Sequence, residues 1–250
     1  MAHVFASVGT ALRYAADNSF KRPLRWLLIT FLYLVATLAA GFALSFTQMM
    51  AGSTPPVALG ILAGIAGLFL TCFFAGIVLQ IFARQEISLK QFLRTTGRGA
   101  LSVLIYLIYG IIPFGLSAAV LVAALPDPAV SAGVAGAGLL LIVPVVLLIL
   151  YGIFVIPAQM QFARTGRFSA AFSFGGIVRM IGQAGWLKVL AGMIVWLAAG
   201  IVLSLAVVLI GSLVIIVPVI GPALGVVVAS FLSFFILLFA AGYWAAFYTD

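Results

Sequence analysis

The sequence is poor in the residues from which enzymes and metal centres are built. It has one cysteine, one histidine and four acidic residues. Metal and haem sites usually take several His, Cys or carboxylate ligands, so we expect no metal and no cofactor. The single cysteine, Cys72, also excludes an intramolecular disulfide.

The long apolar runs of the chain contain no acidic residue and no histidine. Intramembrane proteolysis needs a serine with a base or a pair of carboxylates at membrane depth. Ion-coupled transport commonly places charged side chains there as well. We therefore predict a protein that is not an enzyme, that has no catalytic residue and that is not an ion-coupled pump.

Charge is scarce and apolar residues are abundant. Only 6% of the 250 residues are charged and 66% are hydrophobic, with a mean hydropathy of +1.38. An ordinary soluble domain has about 25% charged residues. This composition is typical of an integral membrane protein, whose apolar side chains face lipid.

Six apolar runs are long enough to cross the hydrocarbon layer, which takes about 20 residues. We predict an all-α fold, a polytopic membrane helix bundle with about six transmembrane helices that forms a single membrane domain over residues 1–250. Only Pro218, Gly221 and Pro222 interrupt the last apolar stretch, so a re-entrant loop is the alternative to two spans there. The predicted spans are residues 24–46, 57–82, 100–124, 134–156, 189–212 and 223–246.

All twelve Lys and Arg residues lie within residues 13–25, 84–98 and 164–188. Basic residues near a span resist translocation, so six spans place both termini on the cytoplasmic side of the cell (inner) membrane. The basic residues that give the net charge of +8 lie near the ends of the spans. This placement favours anionic lipid headgroups over nucleic acid as the partner. A protein partner or a homo-oligomer is the alternative. The predicted contact residues are Arg84, Lys90, Arg94, Arg98, Arg164, Arg167, Arg179 and Lys188.

Each basic segment also contains a stretch with apolar residues at helical spacing. These stretches predict short amphipathic helices that lie flat at the cytoplasmic interface, with plain helical linkers as the alternative. In the second segment, Ser88 and Gln91 form a capping-box pattern that predicts a helix through Leu93. The periodic residues of the first and third segments are Phe5, Val8, Leu12 and Ala15, and Phe168, Phe172, Ile177 and Ile181.

Two spans end on the same triplet, Phe82-Ala83-Arg84 and Phe162-Ala163-Arg164. Gln80, Gln159 and Gln161 lie beside these triplets, and we expect them to form a polar rim at the cytoplasmic ends of the spans. The repeated triplet indicates either a duplicated hairpin or a shared amphipathic preference.

Proline and glycine are the remaining features of the spans. Pro113, Pro144 and Pro157 predict kinks that shape a cavity between the third and fourth spans, although both residue types are simply frequent in membrane helices. Gly60 and Gly64 form a small-xxx-small pair, which allows close helix contact.

Three short motifs run through most of the chain: Ala11-Leu12-Arg13-Tyr14, Phe162-Ala163-Arg164 followed by Ala171-Phe172, and Pro218-Val219-Ile220-Gly221. With these motifs the chain resembles a family of uncharacterised integral membrane proteins of archaea and bacteria, which is defined as a domain of unknown function. The resemblance implies a six-span helical protein and transfers no activity.

The sequence as a whole predicts a non-enzymatic multi-pass membrane protein. Its basic cytoplasmic surface favours an interaction with lipids, or a role as an accessory or structural subunit of a membrane complex. The alternative, based on the prolines in the spans and the possible hairpin repeat, is a transporter or flippase for an apolar or lipid-like substrate.

Overall fold

The computed structural model describes residues 2–20, 27–35, 57–85, 87, 91–124, 134–215 and 221–248. All regular structure in these residues is helical, which confirms the predicted all-α class. Residues 27–35 form a helical segment. The other helices are α1 (Ala2–Phe20), α2 (Val57–Phe82), α3 (Phe92–Ala124), α4 (Val134–Thr165), a 3-10 helix (Phe168–Phe172), α5 (Phe174–Ala184), α6 (Trp186–Ile215) and α7 (Gly221–Phe247).

Five of the described helices are long and apolar enough to cross a membrane, by length and composition: α2, α3, α4, α6 and α7. They correspond to the last five predicted spans. The final apolar stretch therefore contains two separate helices, each of spanning length. The first predicted span, residues 24–46, lies mostly outside the described residues, so a sixth crossing stays a prediction.

Two of these helices extend beyond their predicted spans. α3 begins at Phe92 and continues without a break to Ala124, so Leu93 belongs to the long helix and not to a separate interfacial one; Ser88 lies outside the described residues. α4 runs on to Thr165. The extra turns of each helix contain polar residues.

The contacts of the chain divide into two compact units. Unit 1 comprises residues 1–100 and 194–250, and unit 2 comprises residues 101–193. The single domain expected over residues 1–250 stays a prediction.

In unit 1, α1 packs on α7, and α7 also contacts α2. The face of α1 that is buried consists of the small residues Ser7, Ala11 and Ala15, spaced one helical turn apart. Of the predicted apolar face, Ala15 belongs to this buried set, whereas Phe5 is 62% exposed and Leu12 is 41% exposed, and the expected placement of that face in the acyl boundary stays a prediction. Small side chains let the two helix backbones approach closely. The contact is stabilised by this close packing and not by the burial of larger side chains.

Aromatic side chains fix α2 within unit 1. The rings of Tyr33 and Phe74 meet edge to face with centroids 5.0 Å apart, and Phe74 also contacts Phe234 at 5.9 Å. The neighbouring ring of Phe73 has its centroid 4.5 Å from that of Phe92, in the first turn of α3. Such pairs add to the stabilisation gained from apolar burial, and the last one holds the start of α3 against α2.

In unit 2, α5 and the 3-10 helix pack on α4. Ile177 and Ile181 of α5 are fully buried, which confirms the predicted amphipathic face of this segment. The Tyr109 hydroxyl of α3 donates a hydrogen bond of 2.8 Å to the carbonyl oxygen of Ala171. The connection between α4 and α6 is therefore a packed, ordered part of unit 2.

The helices that carry the repeated triplet both end at a residue with positive φ, but the residue and the hydrogen bonds of the turn differ. After α2, Arg84 has φ +54°, and the N–H groups of Arg84 and Gln85 donate to the carbonyls of Ile81 and Gln80, as in a Schellman motif. After α4, Gly166 has φ +70° and its N–H donates to the carbonyl of Phe162. Glycine takes this backbone conformation without strain and arginine does not.

Candidate functional site

The predicted contact cations fall into two groups. Arg84, Arg94 and Arg98 belong to unit 1, whereas Arg164, Arg167, Arg179 and Lys188 belong to unit 2. Lys90 lies outside the described residues. No three His, Cys, Asp or Glu residues lie together in the described part of the chain.

The first group lies beside a close crossing of α2 and α3. A Cβ atom on Gly99 would collide with the carbonyl oxygen of Cys72, and one on Gly76 would collide with the carbonyl oxygen of Thr95. Only glycine permits this approach of the two backbones. The sequence had indicated Gly64 as a contact residue, but a Cβ atom there would have no neighbour within 4 Å.

The crossing has a sequence signal that was missed. Cys72 and Gly76 are spaced four residues apart on α2, and Thr95 and Gly99 have the same spacing on α3. Each pair is a small-xxx-small pattern, and facing patterns of this kind allow two membrane helices to pack closely. The contact becomes apparent when the patterns of the two consecutive helices are compared. Neither helix alone shows which of its small residues faces the other.

A polar cavity opens next to the crossing, towards the end of α2 and the start of α3. The Gln80 side-chain amide donates a 2.9 Å hydrogen bond to the Thr95 hydroxyl oxygen, and an Arg94 guanidinium nitrogen donates at 3.3 Å to the Gln91 side-chain oxygen. The cavity has a volume of about 270 Å³ and is lined by Gly76, Gln80, Gln85, Gln91, Arg94, Thr95 and Arg98. None of these seven lining residues is acidic.

The second group lies along residues 164–188, which we call the interfacial stretch. All four of its cations are exposed. Apolar side chains are exposed between them: Phe174 at 65%, Trp186 at 50% and Leu187 at 84%. The stretch is anchored from beneath by the buried isoleucines of α5, so its outer face presents both charge and apolar surface.

The predicted polar rim forms only in part. Gln159 is fully buried, so its assignment to the rim was wrong. Its side-chain amide donates to the backbone carbonyl of Ser102 at 2.9 Å, and the Ser102 hydroxyl donates to its side-chain oxygen at 2.7 Å. Gln161 is half-buried and accepts a hydrogen bond of 3.3 Å from Ser173. A polar side chain between membrane helices needs such partners, because lipid supplies none.

No curated protein and no solved structure matches this chain. One family model does match, described as "Protein of unknown function (DUF4013)", over residues 86–216. The matched residues make up more than half of the chain and run through α3, α4, α5 and α6. They include the Phe162-Ala163-Arg164 motif, while the other two motifs of the resemblance lie outside. The chain therefore belongs to the DUF4013 family of proteins of unknown function.

Proposed function

We propose that this protein is a non-enzymatic, multi-pass protein of the cell membrane that binds anionic lipid headgroups through the interfacial stretch. The observation that carries the proposal is the mixed surface of residues 164–188, where exposed cations alternate with exposed aromatic and aliphatic side chains. A segment of this kind lies at the boundary between headgroups and acyl chains.

The chemistry of the stretch fits an anionic bilayer surface. Arg and Lys near such a surface gain about 1 kcal/mol each. Trp186 supplies a ring that prefers the interface, since its body is apolar and its indole N–H is polar, and Phe174 adds apolar surface. The buried faces of Ile177 and Ile181 hold α5 in place, so the stretch needs little ordering when lipid binds.

Native mass spectrometry of the protein released from mild detergent tests this proposal. We expect the wild-type chain to retain phosphatidylglycerol in preference to phosphatidylcholine. The variant Arg164→Gln/Arg167→Gln/Arg179→Gln/Lys188→Gln should lose this preference, because four charges represent roughly 4 kcal/mol of attraction. As a matched control, Arg164→Lys/Arg167→Lys/Arg179→Lys/Lys188→Arg keeps the charge and should keep the preference.

Equal retention of both lipids by the wild-type chain would contradict lipid binding at this surface. Retention of a protein subunit in place of lipid would support the accessory-subunit alternative. The carrier alternative has its own test in proteoliposomes, where a flippase moves a fluorescent lipid between leaflets and a lipid-binding protein does not.

We further propose that the interfacial stretch and both termini face the cytoplasm. The support is the distribution of the twelve basic residues, which follows the positive-inside rule. Reporter fusions after Gly133 and after Asp250 should then report opposite sides of the membrane. The same side for both fusions would reject the six-span topology.

A further inference from the structure

We propose that the cavity beside the α2–α3 crossing is a binding site for a single phosphate group. Its two arginines, Arg94 and Arg98, supply the positive charge, and its other polar lining residues supply neutral donors. None of these residues belongs to the interfacial stretch. The inference rests on the proposed function only in that an anionic phospholipid is one of two sources of the phosphate.

The hydrogen bonds at the cavity leave donor groups for a guest. Gln91 uses its side-chain oxygen to accept from Arg94, so its amide N–H groups are directed away from that bond. The Thr95 oxygen accepts from Gln80, and its hydroxyl proton remains to be donated. Amide and hydroxyl donors beside two guanidinium groups are the partners that phosphate oxygens bind, since arginine binds phosphate through paired, charge-assisted hydrogen bonds.

The size of the cavity matches a small ionic group. Its volume of about 270 Å³ lies just below the range of about 300–1,000 Å³ that is typical of ligand pockets. The acyl chains of a lipid do not fit inside, but a headgroup phosphate does. Two contacts hold the residues that line the cavity in place. The close approach at Gly76 and Gly99 holds the two helices together, and the Phe73–Phe92 ring pair holds the start of α3.

The position of the cavity suits a phosphate at the membrane surface. Gln80 lies in the last turn of α2 and Arg94 in the first turn of α3, both helices of spanning length. The cavity is therefore at the end of the two spans, where phospholipid phosphates lie. Basic pockets between membrane helices at this depth bind phospholipid headgroups, and dissolved inorganic phosphate reaches the same position from water.

Isothermal titration calorimetry of the full chain in a non-ionic detergent tests the site. The probes are inorganic phosphate, dioctanoyl phosphatidic acid and, as a lipid without net charge, dioctanoyl phosphatidylcholine. We expect saturable binding of at least one of the first two probes. The variant Arg94→Gln/Arg98→Gln should weaken it roughly a hundredfold, about tenfold for each arginine removed.

The variant Arg164→Gln/Arg167→Gln is the matched control, because it removes the same charge from the interfacial stretch and should change the affinity for inorganic phosphate less than threefold. For phosphatidic acid, which the interfacial stretch is also proposed to bind, the two cavity arginines are removed in the background of this control variant. Binding of both probes identifies free phosphate as a sufficient ligand, and binding of phosphatidic acid alone identifies a lipid headgroup. If the double variant does not fold, Arg94→Gln alone replaces it, since Arg94 is exposed.

Absence of binding by the wild-type chain overturns the proposal, and so does equal weakening in the cavity and control variants. A failure with inorganic phosphate does not bear on the interfacial stretch, whose own test depends on four other cations and on the comparison of two lipids. Conversely, loss of lipid preference at the interfacial stretch leaves the phosphate titration unchanged.

Discussion

Two pairs of a glutamine and a hydroxyl residue join neighbouring helices in this protein, and they have opposite surroundings. In unit 2, Gln159 and Ser102 exchange two hydrogen bonds and are both buried. In unit 1, the Gln80 side chain donates a hydrogen bond to the Thr95 hydroxyl and borders an open cavity with two arginines.

The difference separates a structural contact from a candidate site. A fully satisfied polar pair in a bundle fixes the helices and offers nothing to a ligand. A pair at the edge of a basic cavity can contribute to the binding of a guest, here through the hydroxyl proton of Thr95. The same residue types therefore have different roles, which burial and the neighbouring charges decide.

The largest expected effect concerns the crossing on which the cavity depends. Gly99→Ala places a methyl group against the carbonyl oxygen of Cys72, so the two helices must separate. We expect a loss of about 3 kcal/mol in the free energy of unfolding, the upper end of overpacking effects. Thermal unfolding in detergent measures it.

Gly97 supplies the control for this prediction, because it lies one half-turn away on α3 with no atom within 4 Å of a Cβ position. Gly97→Ala should stabilise α3 by up to about 1 kcal/mol, the difference in helix propensity. Equal effects of the two alanines would show that the crossing is not closely packed.

The second prediction compares the two glutamines directly. Gln159→Leu removes both hydrogen bonds from a buried site and leaves the Ser102 hydroxyl without its acceptor, so we expect a loss of about 2 kcal/mol. Gln80→Leu removes one bond at a half-buried site and should cost about 1 kcal/mol or less. The melting temperatures of the two variants show which substitution is the more destabilising.

If Gln80→Leu were the more destabilising change, the Gln80–Thr95 pair would be the main structural contact and the comparison would be reversed. Ser102→Ala in the Gln159→Leu background provides a further control. It removes the orphaned hydroxyl and should recover part of the lost stability.

The smallest effects are expected at the two helix ends. Arg84→Gly removes the strain of an arginine in the left-handed backbone conformation. It should raise the free energy of unfolding by less than about 1 kcal/mol. Gly166→Ala introduces the same strain into unit 2 and should lower the free energy of unfolding by about 1 kcal/mol. The effect comes from the backbone alone, since a Cβ atom there meets nothing within 4 Å. Changes of the same sign at both positions would contradict this account of the turns.

Much of the fold is predictable because membrane helices leave a strong signal in composition. The apolar runs locate five helices of spanning length, and apolar spacing identifies the buried face of α5 at Ile177 and Ile181. Apolar spacing does not identify the face of α1 that packs on α7, since two of its three buried residues, Ser7 and Ala11, are not in the periodic set. Periodicity measures hydrophobicity, whereas this contact depends on how closely two backbones approach.

The candidate site was less predictable from the sequence. Basic clusters point to Arg94 and Arg98, but nothing local shows that Gln80 and Thr95 close the same cavity, because their contact depends on the register of two helices. The burial of Gln159 was missed for the same reason. In the sequence, a glutamine at a span end that faces a neighbouring helix cannot be distinguished from one that faces water.

The crossing of α2 and α3 also gives the protein an intrinsic probe. Cys72 is the only cysteine of the chain, is 8% exposed and contributes the carbonyl that meets Gly99. We expect its alkylation by a maleimide to be slow while the helices are closed and to become faster when they part. The rate of labelling therefore reports the opening of this helix pair in native membranes, without any engineered residue.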